Sequence, residues 1–160
     1  WAKTGREQTR SAANAKPTKQ RQLKLWTELV AKMSTAVPHI KPQKSTPRHW
    51  MIISIGRAGF RMSPTANHRD HRLGVEIYIN HAESKKMFEA LLAQKTAIEQ
   101  ALGFDMDWQE LPDAHACRIA TWRLDSPLQD ETQWATYTDW LVQRVAKINE
   151  VFKPAIQALP

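Results

Sequence analysis

The chain has 160 residues, 42% of them hydrophobic, enough for one domain with a real core plus an arm. It contains no run of about 18 apolar residues, which speaks against a transmembrane helix and a membrane partner. Its basic, polar N-terminus lacks the apolar stretch of a secretory signal. Cys117 is the only cysteine, so neither an internal disulfide nor a thiolate metal cluster can form within one chain. A cytoplasmic, prokaryotic setting is the simplest expectation. The net charge of +7 is uneven: residues 1–50 hold 11 Lys/Arg against 2 Asp/Glu, and residues 51–160 hold 12 against 14. A basic first third on a near-neutral body points to a polyanion, with nucleic acid first, or to a solvated linker.

Residues 1–18 show almost no apolar periodicity and read as a flexible basic arm or linker; residues 19–160 read as one domain. The start on Trp1 rather than Met is expected of a piece of a longer protein. From Lys19 to Met33 the pattern is helical, with Leu23, Trp26, Val30 and Met33 on one stripe. Pro38, Pro42 and Pro47 then forbid helix, so residues 36–48 form an extended basic loop. His49 to Gly56 is a strand, apolar on both sides and therefore expected to be central. Gly56 to Gly59 is a turn, and a short strand follows that ends before Pro64. A polar loop leads to Gly74–Asn80, where Val75, Ile77 and Ile79 share one face and Glu76, Tyr78 and Asn80 the other.

Asn80 is placed to cap the next helix, with Glu83 reaching back. Phe88, Leu91, Ile98 and Leu102 form its buried stripe, and Gly103 stops it. Residues 105–111 are a short strand or extended turn. Residues 116–124 are a strand with Ala120, Trp122 and Leu124 on one face and Ile119 and Thr121 on the other. A long helix from about Asp130 to Phe152 carries Trp134, Tyr137, Leu141, Val145, Ile148 and Phe152 on one stripe, and Pro154 ends or kinks it. The order α-β-β-β-α-β-β-α predicts an α+β fold, an antiparallel sheet of about five strands packed by helices.

Several residues carry candidate chemistry. Arg57, Arg61, Arg69 and Arg72 cluster around the hairpin and its following loop. With Lys41, Lys44 and Arg48 they form a positive edge suited to phosphate contacts, or scattered surface charge. Glu76, Glu99 and Arg118 are charges where the pattern expects burial, so Arg118 is expected to bridge Glu76 or Glu99 across the sheet–helix layer. Lys86, at a helix start where the dipole disfavours cations, joins that polar cluster. The seven Trp read mostly as core, and Trp108, flanked by acids, reads as a plug over the sheet edge. His68 and His71 sit in a loop beside Arg69 and Arg72, a poor metal site, and no metal is expected.

The block from Trp50 onward resembles the prokaryotic family catalogued as domain of unknown function 4268. The matching residues are Trp50, IGRAGF (Ile55 to Phe60), GVEIYI (Gly74 to Ile79), Lys86 with Phe88, and L-x-x-x-K-x-x-I-E (Leu91 to Glu99). They continue with Leu102-Gly103, Trp108 before Leu111, Arg118-Ile119, Trp140 and VFKP (Val151 to Pro154). The likeness reaches back to Leu25-Trp26 and covers roughly residues 20–160. The resemblance implies a C-terminal piece of bacterial or archaeal proteins, some with an upstream nuclease-like domain of the restriction type. It implies no reaction and no cofactor.

The opening element order is also similar to that of the restriction-nuclease core. Asp70 and Glu76 then stand as alternative catalytic carboxylates for Mg²⁺, although Tyr78 replaces the Lys of the E-x-K pattern. The leading expectation is a non-catalytic module of a restriction or defence protein, nucleic-acid-associated or protein-docking. The alternatives are a metal-dependent, restriction-like nuclease, possibly a degenerate one, and a homodimerisation module built on the last helix.

Overall fold

The computed structural model describes the backbone of residues 2–160 and the side chains of residues 17–160. The arm expected over residues 1–18 therefore lies almost wholly outside the described side chains. The first helix, α1, spans Ala2–Ala36. Its buried stripe is Gln22, Leu25, Trp26, Leu29 and Met33, again at steps of three and four. The expected stripe is rotated by part of a turn: Leu23 is exposed and Val30 half-buried. Two hydrogen bonds select this face. Gln22 Nε2 donates to the Ala66 carbonyl (3.2 Å), and the Trp26 indole donates to the Arg48 carbonyl (2.8 Å).

The strands are β1 (Ile53–Ser54), β2 (Phe60–Asn67), β3 (Arg72–Ile79), β4 (Asp107–Gln109) and β5 (Cys117–Arg123). They form one antiparallel sheet in the order β1-β2-β3-β5-β4. The stretch expected to be a central strand is instead a ragged edge. Met51, Ile53 and Ile55 are buried while Ser54 is exposed, so it alternates rather than burying both sides. Only isolated pairings flank it, Pro42 with Ile53 and Trp50 with Thr65.

β2 runs through Pro64 rather than stopping at it. Pro64 accepts a hydrogen bond from the Met51 amide (2.9 Å). Its missing N–H therefore also faces the irregular edge and not β3, so the ladder to β3 stays whole.

The helix expected from Asn80 to Gly103 is two helices, α2 (Ser84–Leu92) and α3 (Lys95–Leu102). At the break the Gln94 amide turns to the Leu91 carbonyl, and the Gln94 side chain takes over the Ala90 carbonyl (3.3 Å). The start of α2 is organised by His81 and Ser84 rather than by Asn80 and Glu83. The His81 amide donates to Ser84 Oγ (2.7 Å), and the Glu83 amide donates to His81 Nδ1 (3.0 Å). Gly103 does end α3, at φ +84°.

After a short 3₁₀ turn at Glu131–Gln133, α4 runs Trp134–Gln157, straight through Pro154. Its end is held by Arg57, whose guanidinium donates to the carbonyls of Ile156, Leu159 and Pro160. Its apolar stripe, Trp134 to Phe152 as expected, is buried against this chain's own sheet and α1.

Strand alternation divides the sheet in two. Met62, Ala66, Val75, Ile77, Ile79 and Ile119 join the core beneath the helices. Trp108 seals the β4 edge, its ring near Phe88 and Phe152 and its indole on Glu99 Oε2 (3.3 Å). Among the described residues, no helix is long and apolar enough to cross a membrane.

Candidate functional site

The opposite parity of the same strands builds the candidate site. Arg61, Ser63, Thr65 and Asn67 of β2 pair with Tyr78, Glu76, Gly74 and Arg72 of β3. Gly74, Glu76 and Tyr78 pair in turn with Trp122, Ala120 and Arg118 of β5. Side chains of paired residues project to the same face, so three arginines and two large aromatics arrive on the face away from the core. Trp50, bridged to Thr65, adds a third ring at the edge. The result is an open cavity of about 330 Å³, lined by the three arginines, the three rings and Glu76, with Thr65, Asn67 and His49; Ser63, Gly74 and Ala120 do not line it.

Glu76 lies at the centre and is only 7% exposed. Arg118 Nε stands 2.6 Å from Glu76 Oε2. Burial pushes the Glu76 carboxyl above the usual glutamate range, and the charges of Arg118, Arg61 and Arg72 oppose that shift. One carboxylate faces three guanidiniums, so the cavity floor carries about two excess positive charges.

The arginines are held by rings. The Arg61 guanidinium lies 4.5 Å from the Tyr78 ring centroid, and that of Arg72 lies 3.8 Å from Trp122. Trp122 is itself fixed: its indole donates to Asp107 Oδ2 (3.1 Å). The ring lies directly on Gly74, where a Cβ would sit 2.5 Å from Trp122 Cε3. Only glycine permits that approach.

Arg61 Nε, Arg72 Nε and Arg118 Nε are buried and make no well-aligned hydrogen bond among the described residues, Arg118 Nε meeting Glu76 as an ion pair only. Ser63 Oγ, opposite Glu76, makes none either. At the rim, Arg48 stands over Trp50 at 5.3 Å. Burial lowers the His49 imidazole below its ordinary value.

Of the seven residues expected to contact nucleic acid, Arg61 and Arg72 converge here and Arg48 reaches the rim. Lys41 and Lys44 are exposed along the extended segment beside the β1 edge, and Arg69 is exposed at the β2–β3 turn. Arg57 does not join them, because its donors are engaged by the end of α4.

The expected polar cluster also separates. Arg118 and Glu76 pair, but on the open face rather than across the sheet–helix layer. Glu99 accepts from the Met106 amide (2.7 Å) and the Trp108 indole on the helix side. Lys86 makes only a surface contact to Glu83 (3.7 Å).

Its neighbour Lys85 has the structural role instead. It donates to the carbonyls of Glu110, Leu111 and Ala116, tying down a segment in which Leu111 is left-handed at φ +55°. Cys117 is buried, and burial raises its thiol.

The two carboxylates of the nuclease alternative do not converge. Asp70 sits in the β2–β3 turn, bonded to Asn67. Glu76 lies four residues inside β3, roughly 13 Å further along at about 3.3 Å per residue. Among the described residues, no group of three or more His, Cys, Asp or Glu is placed to hold a metal ion. The arginines around Glu76 would repel a cation.

Sequence reasoning missed the aromatic half of this site, having assigned Trp50 and Trp122 to the core. The usable signal was parity: Trp122 alternates with Ile119 and Thr121, as Tyr78 does with Ile77 and Ile79. A glycine in the middle of β3 was a second signal, since it marks a close approach.

No curated protein and no solved structure matches this chain. A family model does match, over residues 21–156, and the chain belongs to the family described as Domain of unknown function (DUF4268).

Proposed function

We propose that this chain is a non-catalytic, nucleic-acid-binding module that holds a single strand on the open face of its sheet. The observation that supports this reading is the pair of ring-stacked guanidiniums, Arg61 and Arg72, with buried N–H groups that have no acceptor of their own. Guanidinium groups fixed over rings suit phosphate oxygens, and their planes can also stack against bases. Arg48, Lys41 and Lys44 extend the positive potential along the β1 edge, where a strand would leave the cavity.

The setting we propose is the one the resemblance implies. A place beside a nuclease-like domain of a restriction or defence protein fits a module that captures a strand without cutting it. A cytoplasmic location fits a lone, buried cysteine.

The test is fluorescence anisotropy of a labelled single-stranded oligonucleotide across a salt series. Binding that weakens steeply, with a log–log slope of roughly −0.7 per phosphate contact, is the expected result. Binding insensitive to salt, or none at low salt, contradicts the reading and leaves protein docking as the better one.

A further inference from the structure

We infer that the cavity recognises a phosphate monoester dianion, the phosphorylated end of a strand, rather than an internal phosphodiester. This inference rests on the nucleic-acid reading above and names what its site takes.

Charge is the first argument. Arg61, Arg72 and Arg118 against Glu76 leave about two positive charges on the cavity floor. A phosphate monoester carries about −1.5 to −2 at neutral pH, whereas an internal phosphodiester carries only one negative charge. The monoester is the group that neutralises the floor.

Donor inventory is the second argument. Arg61 Nε and Arg72 Nε are buried and unpartnered among the described residues. Ser63, 1% exposed, has its hydroxyl in the same condition. Buried donors of this kind normally find acceptors. A monoester offers three terminal oxygens, so it can accept together from the guanidiniums of Arg61, Arg72 and Arg118, which line the cavity as Ser63 does not.

Shape is the third argument. A cavity of about 330 Å³ lies near the small end of ligand sites, roughly 300–1,000 Å³, and suits one nucleotide rather than a duplex. The rings stand around the charge. Trp122 lies flat on Gly74 beneath Arg72. His49 and Trp50 meet edge to face at 4.5 Å on the rim. Arg72 covers the Trp122 ring, so a terminal base would rest on Trp50 at the rim while its phosphate reaches the arginines.

The alternative surfaces carry less. The apolar pocket by Met87, Ala90 and Pro160 has nothing that identifies an occupant. The ring pair His68–His71 has no third ligand.

The experiment titrates the full chain with one short single strand in three forms: 5′-phosphorylated, 3′-phosphorylated and hydroxyl-ended. A nucleoside 5′-monophosphate, inorganic phosphate and a phosphoserine peptide complete the set. One phosphorylated form is expected to bind at least about tenfold tighter than the hydroxyl-ended strand, the gain of a charge-assisted hydrogen bond. Arg61→Gln and Arg72→Gln are expected to erase that difference while leaving the circular dichroism spectrum unchanged.

Equal affinity for all three strands overturns this inference and leaves the nucleic-acid reading intact. A nucleoside monophosphate that binds as tightly as the phosphorylated strand supports the pocket but overturns the strand. A phosphopeptide that binds equally well overturns the role given to the rings. No binding of any ligand overturns both readings.

Discussion

The two faces of one five-stranded sheet spend the same alternation on opposite tasks. On the helix side, Val75, Ile77 and Ile79 of β3 pair with Thr121, Ile119 and Cys117 of β5, a mostly apolar row in which Thr121 is the one polar partner. On the open side, the residues between them are Gly74, Glu76 and Tyr78, set against Trp122, Ala120 and Arg118. The first face gains stability from buried area. The second buries a carboxylate and leaves guanidinium nitrogens unpartnered, a choice that costs stability. A fold that needed only to stand would have no use for the second face. The comparison teaches that buried polar groups, and not the size of a cavity, single out the face proposed to bind.

Substitutions break or sharpen this contrast in graded ways. The largest effect belongs to the helix side. Phe152→Ala removes a fully buried ring and is expected to cost about 3–5 kcal/mol in urea denaturation. Oligonucleotide affinity per folded molecule should stay the same.

Next comes Gly74→Ala, which sets a methyl against Trp122 and against Thr65 Oγ1 at 2.8 Å. The expected cost is about 1–3 kcal/mol, by overpacking. It should also weaken oligonucleotide binding, because Arg72 loses its platform. An unchanged affinity would mean that Trp122 does not position Arg72.

Arg57→Ala separates the two groups of arginines. It frees three carbonyls at the end of α4 and is expected to cost about 1 kcal/mol with no effect on binding. Loss of binding in that variant would return Arg57 to the nucleic-acid surface.

The smallest effect is a pH dependence. The Glu76 carboxyl is raised in the folded chain, so the folded state holds its proton more tightly than the unfolded one. Stability from this group is full below the ordinary glutamate range. It falls as pH rises from there to the raised value, and is level above it. Glu76→Gln should flatten that fall in urea titrations across the acidic range. A wild-type profile parallel to the variant's would contradict the burial of Glu76.

Much of this architecture was legible in the sequence. The apolar stripe of α4, the alternation in β3 and β5 and the Gly103 stop are local signals, and each was read correctly. The misreadings share a physical cause. Pro64 breaks a strand only if its missing N–H faces a paired neighbour, and that depends on which edge is ragged. His49 to Gly56 appeared apolar on both sides, but Trp50 faces the cavity, not the core. Arg57 looked like its neighbour Arg61, yet its partners lie about a hundred residues away, at the carbonyls of Ile156, Leu159 and Pro160. Charge alone cannot tell an arginine that closes a helix from one that stacks on the open sheet face. Arg118 and Glu76 were expected to pair and do so, but on the open face, as their parity opposite Ile77 and Ile119 dictates.

The most direct test measures stability and binding on the same protein, the Arg61→Gln/Arg72→Gln double variant. Urea denaturation and anisotropy with a phosphorylated single strand would be recorded side by side. If one face stabilises and the other binds, stability stays within about 1 kcal/mol of wild type while affinity falls at least about tenfold. A variant that binds as the wild type does, or one that loses binding only because it unfolds, would contradict that division.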